Sequence, residues 1–218
     1  MKVRSPLVIV FCLVVLIGCT KSADHSKGVY MLLDTSGTYS GELKKAQGII
    51  NYLLGTLQPG DALAVGRIDT GSFSEKDIVA KVKFDARPSV ANQQKRAFHK
   101  MIDEFMGSVA GSNYTDISGG ILQAIEYLNE TGAGQKYILI FSDLQEELAK
   151  GHIRDVPFQL TGFKVLALNV TKLREDIRDP KIYLERCEQW RQKTESGGGK
   201  WDRINDLDRL EDIFAPRF

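Results

Sequence analysis

Short, continuous apolar runs alternate along this chain with segments in which apolar residues recur every three to four positions. The runs at 29–33, 62–68, 137–141 and 163–168 have the length of strands that are covered on both faces, as in parallel sheets. The intervening segments, such as the one that begins at Glu42, have the periodicity of amphipathic helices. The alternation therefore predicts an α/β fold with a doubly wound, mostly parallel sheet and helices on both faces.

One segment departs from this pattern. Between Ile78 and Phe84, apolar residues alternate with Lys81 and Lys83, which predicts an edge strand with one partly wet face. Only a short turn separates it from the preceding strand, so we expect it to run antiparallel to that strand. Further helices are predicted around 97–106, from Asp116, at 145–150, from Pro180 with Asp179 as its cap, and at the end of the chain.

The amino terminus has the parts of an export signal. Lys2 and Arg4 precede an apolar run at 7–17, which is too short for a membrane span of about 20 residues. The following sequence, Leu16-Ile17-Gly18-Cys19, resembles the bacterial lipobox, and this resemblance implies that the Cys19 thiol receives a diacylglyceryl group. The predicted organisation is a signal peptide at 1–18, a lipidated cysteine and tether at 19–27, and one domain at 28–218. The alternative is an ordinary secretory signal with a chance cysteine.

These features predict a lipoprotein of the bacterial cell envelope, on the periplasmic face or the cell surface. Thr20 follows the cysteine, which favours the outer membrane in a Gram-negative cell. The 29 basic residues, less Lys2 and Arg4, leave 27 against 28 acidic ones. A nearly neutral domain without a basic run gives no reason to expect nucleic-acid binding.

Acidic residues follow three of the predicted strands: Asp34 and Asp69 directly, and Asp143 after Ser142. The carboxyl ends of parallel strands share one edge of the sheet, where such folds bind ligands. Carboxylates that gather without a basic partner repel one another, and a hard cation relieves this. Asp34 is also followed at alternate positions by Ser36 and Thr38, so an extended turn would direct three oxygens to one point.

The sequence at 34–38 resembles the Asp-x-Ser-x-Ser motif of the metal-ion-dependent adhesion site in von Willebrand factor A and integrin I domains. Thr115-Asp116 at the start of a helix and Asp143 at the end of an apolar strand match the other two elements of that site. The resemblance covers roughly residues 28–214. It implies that Ser36, Thr38 and Thr115 are direct hydroxyl ligands of Mg²⁺ or Mn²⁺, while Asp34 and Asp143 act mainly through water and charge.

Two positions depart from the family pattern. Thr38 replaces a serine and keeps the oxygen, and Leu144 stands where the family commonly has glycine. Two further acids, Asp69 and Asp116, are candidates for a supporting position behind the ligands. For Asp69 we favour the alternative that residues 69–72 form a simple turn.

The predicted site has an open coordination position and no catalytic partner. The sequence contains neither a Ser-His-Asp order nor a Gly-x-Ser-x-Gly motif. We therefore expect no catalytic residues and no small-molecule substrate, but a binding module whose metal accepts an acidic group from a protein partner. The alternatives are a metal-free scaffold of the envelope and, less favoured, a metal-assisted hydrolase with Asp69 or Asp143 as general base.

Overall fold

A computed structural model describes residues 25–37, 39–70, 73–109, 111–205 and 207–215. The predicted signal peptide, Cys19 and the predicted ligand Thr38 lie outside these residues. None of the helices in the described part is long and apolar enough to cross a membrane.

The described residues form one sheet of six strands. The strands are β1 (Lys27–Leu33), β2 (Ala62–Arg67), β3 (Ile78–Lys83), β4 (Gln135–Phe141), β5 (Phe163–Leu168) and β6 (Lys200–Ile204). Their order across the sheet is β3-β2-β1-β4-β5-β6. β3 pairs antiparallel with β2, and all other neighbours are parallel. This confirms the mostly parallel sheet with one antiparallel edge strand.

Helices connect these strands. They are α1 (Leu43–Thr56), α2 (Pro88–Ser108), α3 (Ile117–Thr131), α4 (Arg174–Arg178), α5 (Pro180–Ser196) and α6 (Leu207–Phe214), with short 3-10 turns at Ser40–Glu42 and Glu75–Asp77. Asp179 caps α5 as predicted, since its side chain accepts a hydrogen bond from the Lys181 N–H. The short helix α4 was not predicted.

The sheet is buried on both faces, as a doubly wound fold requires. Val29, Met31 and Leu33 of β1 contribute to the apolar cluster that includes α1, α2 and α6. Tyr30 and Leu32 contribute to a second cluster, which includes α3 and α5. β1 therefore lies in the middle of the molecule, which explains why its sequence is apolar throughout rather than alternating.

The predicted helix at 145–150 is wrong. These residues form an irregular loop, and Glu147 makes an isolated antiparallel bridge with Thr115. Leu144, just before this segment, has a φ of 69°, outside the helical region. The backbone N–H and carbonyl of Glu147 both bind Thr115 instead of groups along the segment, so the chain runs as a loop.

Candidate metal centre

The loop after β1 starts from a buried carboxylate. One oxygen of Asp34 accepts a hydrogen bond from the Ser36 N–H at 2.9 Å, and the other accepts from the Ser142 hydroxyl at 2.7 Å. The Asp34 N–H donates to the Phe141 carbonyl at 3.0 Å, which continues the pairing of β1 with β4. Pairing within the sheet thus fixes Asp34 beside the end of β4. The hydrogen bond from the Ser36 N–H turns the following loop back toward the Asp34 carboxylate.

The end of β4 supplies Asp143. Its Oδ1 accepts a hydrogen bond from the Gln145 N–H at 2.8 Å. The residue between them, Leu144, has a φ of 69°, in the left-handed region that favours glycine. Leu144 therefore holds a backbone conformation that a residue with a Cβ adopts rarely.

Thr115 is held by two different segments. It exchanges hydrogen bonds with Glu147 in both directions, at 2.8 and 2.9 Å, and the next N–H, that of Asp116, donates to the Ile68 carbonyl beyond β2. These bonds bring Thr115 to the ends of the strands, although it precedes helix α3. The residue is 4 % exposed.

Three of the predicted ligands line one cleft of about 240 Å³. They are Ser36, Thr115 and Asp143, and the other lining residues are Gly37, Ser112, Asn113, Gln145 and Glu147. These residues would coordinate a cation through hydroxyl and carboxylate oxygens. Such oxygen ligands suit Mg²⁺ or Mn²⁺ better than a softer metal.

Burial has the largest effect on the pKa values of the Asp34 and Asp143 carboxyl groups. It raises the pKa of Asp34, while hydrogen bonds from Ser142 and Ser36 act in the opposite direction. It also raises the pKa of Asp143, to about 6, and the negative charge of Asp34 adds to this shift. Two carboxyl groups whose negative charges oppose each other are what a divalent cation stabilises.

Asp69 and Asp116 are each paired with an arginine. The Arg67 guanidinium contacts both oxygens of Asp69, at 2.5 and 2.8 Å. Asp116 is fully buried; it binds the guanidinium of Arg154 at 2.7 Å and accepts the Gly119 N–H as the cap of α3. In the described residues no group of three or more acidic, histidine or cysteine side chains is placed to hold a metal. A cation in this cleft would thus depend on the carboxylates of Asp143 and Glu147, which line it, and of the buried Asp34, which does not, together with hydroxyls.

Sequence reasoning missed the residues of α5 that contact the site. The Arg186 guanidinium donates to the Asp143 carbonyl, and the Trp190 indole donates to the Leu144 carbonyl. One sequence feature could have indicated the role of Arg186. It is a charged residue in the apolar stripe of a helix, between Tyr183 and Trp190 at helical spacing. The rim residue Glu147 carried no such signal.

Comparison with known proteins identifies the fold. No family model matches the sequence, and no curated protein matches it. Among solved structures, the chain is similar to a von Willebrand factor type A protein from Catenulispora acidiphila, with 15 % identity and a TM-score of 0.58 over 88 % of this chain and 41 % of that one. It is also similar to the pilus adhesin SpaC from Lactobacillus rhamnosus GG in an open conformation, with 14 % identity and a TM-score of 0.50 over 89 % of this chain and 29 % of that one.

The fold is therefore that of a von Willebrand factor type A-like domain. The chain spans less than half the length of either of these structures. At such low identity the likeness establishes the fold alone.

Proposed function

We propose that this protein is a lipid-anchored binding module that uses a divalent metal to engage an acidic group on a protein partner. The observation that carries the proposal is the meeting of Ser36, Thr115 and Asp143 in one cleft, at the end of the sheet where such folds bind ligands. The similar pilus protein is an adhesin, which agrees with a role in binding.

The residues at the cleft fit a hard cation. Ser36 and Thr115 would ligate it directly, while Asp34 and Asp143 would supply charge and hold ordered water. The third hydroxyl that the resemblance implies, that of Thr38, lies outside the described residues. The metal would supply an electrophilic centre to which a partner's carboxylate binds. The protein's own part is to fix the oxygens beforehand, through the hydrogen bonds of Asp34 with Ser36 and Ser142.

Calorimetric titration of Mg²⁺ and Mn²⁺ into residues 20–218 tests the metal site. We expect binding in the micromolar-to-millimolar range that is lost in Ser36→Ala and Asp34→Ala. Ser196→Ala removes a hydroxyl from the exposed end of α5 and serves as the control, with unchanged binding. Absence of binding in the wild type would favour the metal-free scaffold.

The use of the metal in partner binding needs a separate test. Immobilised protein is incubated with envelope extract with and without chelator, beside the Ser36→Ala variant. The proposal expects partners that are retained only with Mg²⁺ and only by the wild type. Equal retention in all samples would contradict it and favour a scaffold that binds through its helical faces.

The anchor is tested at Cys19. Cys19→Ala is expected to abolish labelling by radioactive palmitate and to move the protein from the membrane fraction to the soluble fraction, because a lipoprotein is held by its acyl chains. Cys12→Ala, in the apolar run, is the matched control and should leave labelling unchanged. Labelling that persists in Cys19→Ala would rule out the predicted lipidation site.

A further inference from the structure

Two side chains of α5 contact the turn that carries Asp143. The Arg186 Nε donates to the carbonyl oxygen of Asp143 at 2.9 Å, and the Trp190 Nε1 donates to that of Leu144 at 3.0 Å. Both side chains belong to the buried face of the helix, with residue exposures of 7 % and 4 %. Consecutive carbonyl groups are thus held by donors from one helix.

These contacts fix the two peptide planes on either side of Leu144. The plane before it is bound at its oxygen by Arg186 and at its N–H by the Ser142 hydroxyl. The plane after it is bound at its oxygen by Trp190 and at its N–H by the Asp143 carboxylate. Because φ and ψ of a residue describe the relative rotation of its two peptide planes, these hydrogen bonds determine the conformation of Leu144.

Leu144 needs this support because its φ of 69° is unfavourable for a residue with a Cβ. The same rotation orients the site, since the Gln145 N–H that follows Leu144 binds Oδ1 of Asp143. If the second plane turned, this N–H would leave the carboxylate, and the carboxylate would lose the bond that aims it.

Arg186 is itself immobilised. Its guanidinium binds both oxygens of Asp176, at 2.6 and 3.2 Å, and this ion pair is buried. Asp176 also accepts the Leu173 N–H at the start of α4. The donor to the Asp143 carbonyl is therefore fixed from its far side by a second helix.

We propose that Arg186 and Trp190 are positioning residues of the metal centre, which hold the Leu144 turn in the conformation that glycine would adopt unaided. This inference rests on the proposed metal binding. It adds that α5, which supplies none of the predicted ligands, sets the affinity of the site by orienting Asp143.

The test is Trp190→Phe in the full-length, detergent-solubilised protein, titrated with Mg²⁺. Phenylalanine keeps an aromatic ring in the core but cannot donate to the Leu144 carbonyl. We expect the affinity to fall about tenfold, as is typical when a group that orients a metal ligand is removed. Trp201→Phe, at the only other tryptophan of the sequence, is the matched control and should bind as the wild type does.

A second substitution separates positioning from general stability. Leu144→Gly in the Trp190→Phe background gives the turn a residue that takes positive φ without help. We expect it to restore most of the lost affinity, although it removes a buried side chain and so lowers the urea midpoint further. If the double variant does not fold, Leu144→Asn replaces it, because asparagine tolerates the same conformation.

The outcomes distinguish this inference from the proposed function. Unchanged Mg²⁺ affinity in Trp190→Phe would overturn the positioning role while the metal site stands. A double variant that binds no better than Trp190→Phe would also overturn it. Absence of Mg²⁺ binding in the wild type would overturn the proposed metal binding and this inference with it.

Discussion

Asp143 is a residue whose burial favours its neutral form. Its pKa is raised to about 6 because the carboxyl group is removed from water and lies near the charge of Asp34. The unfolded chain keeps a value of about 4. The metal-free fold is therefore destabilised as the pH rises from about 4 through about 6, since ionisation costs more in the folded than in the unfolded protein.

This predicts a gain in stability for a neutral replacement. In the presence of chelator, Asp143→Asn should raise the free energy of unfolding by about 3 kcal/mol at pH 7.5 and leave it nearly unchanged at pH 4. Urea denaturation at the two pH values measures this. With saturating Mg²⁺ the order should reverse, because the variant loses charge that the cation needs. A variant less stable than wild type at pH 7.5 without metal would contradict the assigned role of burial.

The placement of the candidate residues was predictable where the ends of the strands select it. Asp34, Ser36 and Asp143 follow apolar strands, and parallel strands bring their carboxyl ends together, so the sequence places them without knowledge of the contacts. The supporting role of Arg186 was not predictable, because it depends on how α5 packs over the end of β4. The ion pair of Asp116 with Arg154 was missed for the same kind of reason, since it joins distant segments. The pair of Asp69 with Arg67 is local, between residues two positions apart.

At the scale of the element, helix α3 depends on two adjacent glycines. A Cβ on Gly119 would lie 2.5 Å from an oxygen of Asp116, the cap of the helix. A Cβ on Gly120 would lie 2.8 Å from side-chain atoms of Leu32 and Ile68. Gly119 thus leaves room for the Asp116 cap, and Gly120 lets the start of α3 pack closely on β1 and on Ile68 after β2.

We predict opposite effects of the same substitution at two helical glycines. Gly120→Ala should lower the free energy of unfolding by about 1–3 kcal/mol, because the added methyl overpacks the core. Gly48→Ala, on the exposed face of α1 with open space at its Cβ position, should raise it by about 0.4–1 kcal/mol. Urea denaturation of both variants checks this, and a neutral Gly120→Ala would refute the close packing of α3.

The elements that sequence predicted well are those with strong periodicity. The strands at 29–33 and 163–168 and the helix from Pro180 agree with the structure within a few residues. The failure at 145–150 arose where the apolar pattern was weak and where the backbone of Glu147 pairs with Thr115, 32 positions away. A contact between such distant segments leaves little trace in hydrophobic periodicity.

At the scale of the whole molecule, the site joins segments that are distant in the chain. The hydrogen bond between Ser142 and Asp34 spans 108 positions, and Thr115 comes from a third segment between them. Before β4 is paired with β1, these oxygens are not in one place. We therefore expect the chain to present a cation site only when the centre of its sheet is complete.

This arrangement has a kinetic consequence. A cation that binds only the completed sheet is absent from the earlier, partly folded states, so it should lower the unfolding rate and leave the folding rate nearly unchanged. Stopped-flow urea jumps should show an unfolding rate reduced about a hundredfold at a Mg²⁺ concentration of a hundred times the dissociation constant. An equal change in the folding rate would mean that the site forms early. The cation would thus slow the unfolding of the folded domain without speeding its folding. A chain would bind the cation only at the place where the chain completes its fold.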